Sequence, residues 1–215
     1  SRESFINMNK LRSDIIDICN GMNNDGLNQG TSGNVSCRDG LGILITPSGV
    51  PYDTLVPEMI VSMDKNGQYE GSLRPSSEWR MHNDIYNARP DANAIVHVHS
   101  PYATAISCHR RKIPAFHYMV AVAGGDDVRC AEYATFGTQA LSDNMISALT
   151  DRCACLLSNH GQIAFGVNLS HALWLANEIE NLAKQYILAS VLGEPTILSI
   201  DEMSKIIKEF ETYGK

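Results

Sequence analysis

At 215 residues and 44% hydrophobic content, the chain is long enough to bury one sizeable core. Its formal net charge of −7 argues against nucleic acid, whose binders need basic surfaces to neutralise phosphates. No stretch reaches the ~20 apolar residues of a membrane span, and Ser1-Arg2-Glu3-Ser4 has neither part of a secretory leader. A cytoplasmic protein with one domain over residues 1–215 is the expectation.

Taken in chain order, the first helix is expected over about Asn9–Asn23, where Leu11, Ile15, Ile18 and Met22 recur at helical spacing and Gly26 follows as a stop. Short strands follow at Asn34–Cys37, Gly42–Thr46 and Met59–Met63, separated by Gly, Pro and Asp turns. Ser76 or Ser77 caps a helix reaching about Ala88, which Pro90 ends. A strand over Asn93–His99 comes next, and Pro101 suits the first turn of a short helix. Tyr118–Gly137, rich in Gly, Ala and turn residues, reads as a functional loop region. A helix near Thr138–Leu149 leads to strands Cys153–Leu157 and Gln162–Phe165, joined as a hairpin by Asn159-His160-Gly161. Helices over Ser170–Leu192 and Ile200–Phe210 close a mixed α/β domain, its strands in hairpins or meanders with helices around them.

Chemistry concentrates in few places. His97 and His99 alternate at the end of the apolar run Ala94-Ile95-Val96, so both imidazoles project from one face of the strand. Two adjacent imidazoles are costly to bury unpartnered, and a divalent metal satisfies both. His160, at the hairpin tip where a side chain is exposed, completes a three-histidine set of the kind that holds catalytic zinc. His82 and His171 lie on helices and read as satisfied surface or core residues; His109 and His117 are the remaining two of seven.

Glu78 falls in the first turn of its helix, where a carboxylate is favoured by ~0.3–1 kcal/mol without any function. It suits equally a general acid/base or a displaceable metal ligand, and nothing local decides. Three polar clusters, Gly30-Thr31-Ser32-Gly33-Asn34, Thr46-Pro47-Ser48-Gly49 and Ser76-Ser77, offer the hydroxyls and backbone N–H groups that hold an anion. Each is equally an ordinary turn or cap. The basic run Arg110-Arg111-Lys112 reads as a solvated turn. Six cysteines without a CxxC pair read as free thiols in a reducing compartment. Cys153 and Cys155, on one face of a strand, suit either the core or a metal.

In family order these segments resemble the class II sugar-phosphate aldolases of the aldolase/adducin-head type. The match runs through Leu27–Ser36, Leu44–Gly49, Pro75–Arg80, His97-Val98-His99, His117–Met119, Ala123–Gly125, Tyr133–Thr138, Asn159–Gly161 and Phe210–Gly214. The resemblance implies a three-layer α/β/α fold with a mostly antiparallel central sheet. It implies Zn²⁺ on His97, His99 and His160, with Glu78 as fourth ligand in the empty enzyme. Thr31, Asn34, Ser48, Gly49, Ser76 and Ser77 would form a phosphate pocket. Tyr118 would enter from a neighbouring subunit of a homotetramer with active sites at its interfaces, while Phe136 and Tyr213 shape the aldehyde end.

The implied reaction is reversible cleavage of a small phosphorylated sugar, L-fuculose 1-phosphate, to dihydroxyacetone phosphate and L-lactaldehyde through a metal-stabilised enediolate. Glu78 and Tyr118 would manage the protons. The stretch His99–Ala105 follows the wider family and implies a 5-deoxypentulose 1-phosphate as the alternative sugar. Relatives also include a pentulose-phosphate 4-epimerase, typically with Asp at the position of Glu78, a methylthioribulose 1-phosphate dehydratase, and the adducin head, a scaffold without catalysis. The HExxH helix of zinc peptidases is absent.

Overall fold

The computed structural model describes residues 1–212. The chain forms helix α1 (Arg2–Asn24), strands β1 (Asn34–Asp39), β2 (Gly42–Ile45) and β3 (Val61–Met63), helix α2 (Trp79–Ala88), strand β4 (Ala94–Val98) and helix α3 (Pro101–Ser107). Then come β5 (Cys130–Ala131), α4 (Gln139–Ala148), β6 (Ala154–Leu157), β7 (Gly161–Gly166), α5 (Leu169–Ser190) and α6 (Ile200–Thr212). One seven-stranded sheet runs β3-β2-β1-β4-β7-β6-β5, antiparallel throughout except for the β5–β6 pair. This is the expected α/β architecture.

Alternation along the strands sorts the core into two layers. Val35, Leu44, Val96, Leu156 and Ala164 face α1, α3, α5 and α6, where Ile15, Met22, Ile106, Leu175, Ile179 and Met203 meet them. Ile45, Ile95, Cys155, Ile163 and Phe165 face α2 and α4, against Met81, Ile85, Leu141 and Met145. Helices therefore cover both faces. In β4 the odd-numbered positions belong to the α2 side, so His97 and His99 project toward the start of α2.

Several boundaries differ from the sequence expectation. The first helix starts seven residues earlier than Asn9, at Arg2, with Ser1 as its N-cap; Phe5 and Ile6 on the added turns are exposed, so no apolar stripe marks them. Neither serine caps α2: the N-cap position belongs to Glu78, which makes no side-chain capping bond. The Tyr118–Gly137 segment is not all loop, since it holds a 3-10 helix over Tyr118–Ala123, begun by His117 Nδ1 accepting from Met119 N, and the short strand β5. Strand β7 begins at Gly161, leaving Ser158, Asn159 and His160 as the β6–β7 turn. All six cysteines are free, and Cys155 lies buried in the α2-side layer as a small core residue.

Ile15 is fully buried between α1 and the sheet. Its replacement by Ala should lower the unfolding free energy by about 2–5 kcal/mol, the cost of lost burial plus a cavity. Val167→Ala, at an exposed position, should stay within about 0.5 kcal/mol; chemical denaturation of the two variants beside the parent checks both.

Candidate metal centre and substrate cleft

Four side chains from three separate parts of the chain meet at one end of the sheet. His97 is in β4, His99 lies just beyond it, His160 comes from the β6–β7 turn, and Glu78 immediately precedes α2. Their ligand atoms all lie within 4.8 Å of one another, the one such cluster of His, Cys, Asp or Glu among the described residues. The three rings stand nearly perpendicular in pairs, with centroids 4.8–5.2 Å apart. Contrary to the expectation of an exposed hairpin tip, the His160 side chain is only 9% exposed, because the turn folds in over β4. His160 N donates to Ser107 Oγ and Asn159 N to the Ser107 carbonyl, which pins the turn to α3.

The donor set fits a divalent cation. His97 Nδ1 donates to the Gln162 carbonyl at 2.7 Å, and since a carbonyl only accepts, Nδ1 carries the proton and Nε2 presents its lone pair to the centre. Glu78 Oε2 lies 2.8 Å from His97 Nε2 and Oε1 lies 2.9 Å from His160 Nε2, but neither approach is aligned as a hydrogen bond. Glu78 Oε1, His97 Nε2 and His99 Nε2 are consequently buried without a hydrogen-bond partner. Converging lone pairs need a proton or a cation among them, and three imidazoles with one carboxylate are a donor set for zinc and its neighbours.

The electrostatics agree. Burial works against ionisation of Glu78, but His97 and His160 outweigh it and hold the carboxyl well below the usual carboxylate range. Burial also opposes charge on His97, yet Glu78 raises its pKa above the ordinary histidine value, so a proton competes with a cation for Nε2. His99 is pushed down to about 4 by burial and by the other two rings. It stays neutral, the form that binds metal.

Beside the centre opens a cleft of about 490 Å³. Thr31, Asn34, Ser48, Gly49, Ser76 and Ser77 all line it, together with Glu78, His99 and His160. Main-chain bonds bring the three polar loops together: Ser76 N donates to the Thr46 carbonyl, Ser48 N to the Arg74 carbonyl and Thr46 N to the Val35 carbonyl, while Val35 N donates to Thr46 Oγ1. Gly49 sits at φ +70°, where a side chain would strain the turn. Among the described residues no Lys or Arg lines the cleft, so an anion here would meet hydroxyls and N–H groups alone. Asn34 differs from its expected surroundings, since its amide also donates to Glu78 Oε2 at 3.1 Å.

Phe136 lines the other side of the cleft, and Arg80 donates to the Gly137 carbonyl to hold that loop on α2. Within the chain Tyr118 is not among the lining residues: half exposed, it stacks on His117 with centroids 4.9 Å apart. Tyr213 falls outside the described residues.

Sequence reasoning missed Tyr133 and Asn159, which also line the cleft. Arg110 ties them together, donating to Asn159 Oδ1 at 2.9 Å with its guanidinium 5.3 Å from the Tyr133 ring centre. It is therefore not simply a solvated turn residue. Positive φ at both Arg110 and Asn159 shows two turns shaped to meet, but no single stretch of sequence signals their meeting. Asn28 and Gln162 were missed in the same way: Asn28 Oδ1 accepts from His99 N and the Gln162 carbonyl from His97 Nδ1, so they hold the ligands rather than touch the centre.

The profile of the family described as Class II Aldolase and Adducin N-terminal domain matches residues 13–187. An Escherichia coli protein named L-fuculose phosphate aldolase is 51% identical over 207 residues, covering 96% of each chain. A Rhodospirillum rubrum protein named 5-methylthioribulose-1-phosphate/5-deoxyribulose-1-phosphate aldolase is 50% identical, over 95% of this chain and 92% of that one. A solved structure of an L-fuculose 1-phosphate aldolase superposes with a TM-score of 0.91 at 42% identity, covering 94% of this chain and 96% of that one.

At Gly161 a Cβ would lie 2.5 Å from the Val98 carbonyl oxygen and 3.2 Å from His99 Cδ2. Gly161→Ala should therefore displace His99 and weaken divalent-metal binding by about 10–100-fold, as loss of ligand support does elsewhere, while the far-UV circular dichroism keeps its shape; competition with a chromophoric chelator measures the affinity.

Proposed function

The chain belongs to the class II aldolase and adducin N-terminal domain family and is an aldolase, a carbon–carbon lyase; we propose that it is zinc-dependent and cleaves L-fuculose 1-phosphate reversibly to dihydroxyacetone phosphate and L-lactaldehyde. The observation that carries this reading is the convergence of Glu78, His97, His99 and His160 beside a cleft walled by neutral anion-binding groups. Metal and phosphate subsites lie side by side there, as a ketose 1-phosphate requires.

His97, His99 and His160, with Glu78, would hold the cation, which when bound supplies Lewis-acid stabilisation of the negative charge developing on the ketose oxygens. The hydroxyls and backbone N–H groups of Thr31, Asn34, Ser48, Gly49, Ser76 and Ser77 take the phosphate and so fix the sugar's position. In the condensation direction the ionised Glu78 removes a proton from the carbon next to the carbonyl of dihydroxyacetone phosphate. In cleavage it returns that proton to C3 after the C3–C4 bond breaks. Tyr118 of the partner subunit handles the C4 hydroxyl proton, which leaves as the aldehyde carbonyl forms. That role is supported by the absence of Tyr118 from the lining of its own chain's cleft, and it requires a site shared between subunits, as in the homotetramer that the resemblance implies. Phe136 and Tyr213 shape the aldehyde end. No lysine Schiff base is required.

A second reading keeps every one of these roles and changes the sugar. The near-equal identity to the Escherichia coli and Rhodospirillum rubrum aldolases (51% and 50%) favours a 5-deoxypentulose 1-phosphate as the competing substrate, since only the aldehyde end differs.

The test is coupled detection of dihydroxyacetone phosphate from L-fuculose 1-phosphate and 5-deoxyribulose 1-phosphate, with and without chelator, beside L-ribulose 5-phosphate as a control whose C3–C4 cleavage leaves the phosphate on the two-carbon fragment. Chelator-sensitive release fastest from L-fuculose 1-phosphate is the expected result. Release from the deoxypentulose alone would transfer the mechanism to that sugar. No triose phosphate from either ketose 1-phosphate with zinc-loaded protein would sink the aldolase reading and leave the epimerase or scaffold. In the same assay Glu78→Gln should lower kcat by about 10²–10⁴-fold, the usual worth of a placed acid/base, with zinc content by metal analysis unchanged; full activity would remove Glu78 from the proton transfer.

A further inference from the structure

Behind Glu78 runs a buried polar layer that the steps above do not use. Glu78, His82 and Tyr86 recur every fourth residue, so they stack on one face of α2 and its first cap. That face lies on β1, where Asn34 and Ser36 point toward it. The five side chains join end to end. Asn34 Nδ2 donates to Glu78 Oε2 at 3.1 Å, and Asn34 Oδ1 meets His82 Nε2. His82 Nδ1 lies 2.6 Å from Ser36 Oγ, which lies 2.8 Å from the Tyr86 hydroxyl. None of the five is more than 5% exposed, and His82 is fully buried.

The bonds run in one direction. An ionised carboxylate only accepts, so Asn34 must turn its NH₂ toward Glu78 and its oxygen toward His82. His82 therefore carries its proton on Nε2, which donates to Asn34, and its bare Nδ1 accepts from the Ser36 hydroxyl. Ser36 in turn accepts from Tyr86. Flipping the Asn34 amide would set oxygen against carboxylate and NH₂ against imidazole N–H, two repulsions at once. Met81, Ile85, Ile45 and Ile95 pack in the same layer, so apolar side chains would fill this space without any such network.

We propose that His82 is a positioning residue for Glu78: by locking the Asn34 amide, it fixes the carboxylate in the pose from which it meets both the metal and the reacting carbon. The inference rests on the role given to Glu78 above and extends it to a residue outside the cleft.

The test compares His82→Phe, which keeps a ring and removes the donor, with His82→Gln, which offers an amide N–H in its place. Each is made in wild-type and Glu78→Gln protein, with zinc affinity measured by chelator competition alongside kcat and KM. His82→Phe is expected to lower zinc affinity and kcat by about tenfold or more, with KM nearly constant, and His82→Gln to recover most of the loss. In the Glu78→Gln background the same substitution should cost almost nothing further, because residues acting through one another are non-additive. Equal losses in both backgrounds, or no loss in the wild type, would make His82 a packing residue and overturn the proposal. Should His82→Phe fail to fold, ¹⁵N imidazole spectra of the unaltered position decide. The Nε2–H tautomer of His82, with a signal that moves on Glu78→Gln substitution, supports the relay, and the Nδ1–H tautomer overturns it. Wild-type protein that takes up no zinc would instead overturn the metal site itself, and this inference with it.

Discussion

Burying the Glu78 carboxylate costs several kcal/mol unless charge or metal compensates, and the arrangement of this fold follows from meeting that cost. The side chain is 6% exposed and reaches two imidazole nitrogens within 3 Å. Its ionised form is held by His97 and His160 and by the Asn34 amide. A cation among the rings would complete the compensation and relieve three otherwise orphaned buried atoms. In the proposed mechanism the same group would serve as ligand when the cleft is empty and as proton carrier when substrate displaces it.

The sheet makes this possible through the different faces of its central strand. Central strand β4 pairs with β1 and β7, placing Asn34 and Ile163 directly beside His97. On the α1–α5 side its residues are Ala94, Val96 and Val98, all fully buried hydrophobics. On the other side Ile95 continues the core, and then His97 and His99 end it. The imidazoles of β4 therefore gather at the sheet's end, where α2 begins and the β6–β7 turn folds over. His97 lies within β4, while Glu78, His99 and His160 sit at the very ends of elements or in a turn pinned to α3, so the packed sheet and helices fix the geometry of the centre.

The cleft offers an anion hydroxyls and N–H groups but no formal cation of its own, consistent with an acidic chain of net charge −7. Hydroxyls and peptide N–H groups from three loops converge there because main-chain bonds between Thr46, Ser48, Arg74 and Ser76 tie the loops side by side. A bound divalent ion would be the strongest local positive charge. In the proposed mechanism the aldehyde end would fall to Phe136 and Tyr133, which line the cleft, and that is where relatives with different sugars are expected to diverge.

Much of this was legible in the residues. The alternation of His97 and His99 at the end of an apolar run is a local pattern of period two, and it marks a strand with two imidazoles on one face wherever that strand lies. Helices α4 and α5 and the β6–β7 hairpin were equally readable from apolar spacing and turn residues. Glu78 was not, because a carboxylate beside a helix start has an adequate local explanation and its neighbours in space are 19 to 82 residues away in sequence. His82 looked merely satisfied, although its four-residue spacing from Glu78 and Tyr86 was in plain view; only the pairing of that stripe with Asn34 and Ser36 on β1 gives it meaning. Element types and the chemistry available were thus determined by the sequence alone, since periodicity, capping and turn preferences act over a few residues. Which polar groups meet was decided by the β1-β4-β7 order and the packing of α2 upon it, because long-range strand pairing depends on burying whole faces at once and no local segment encodes it.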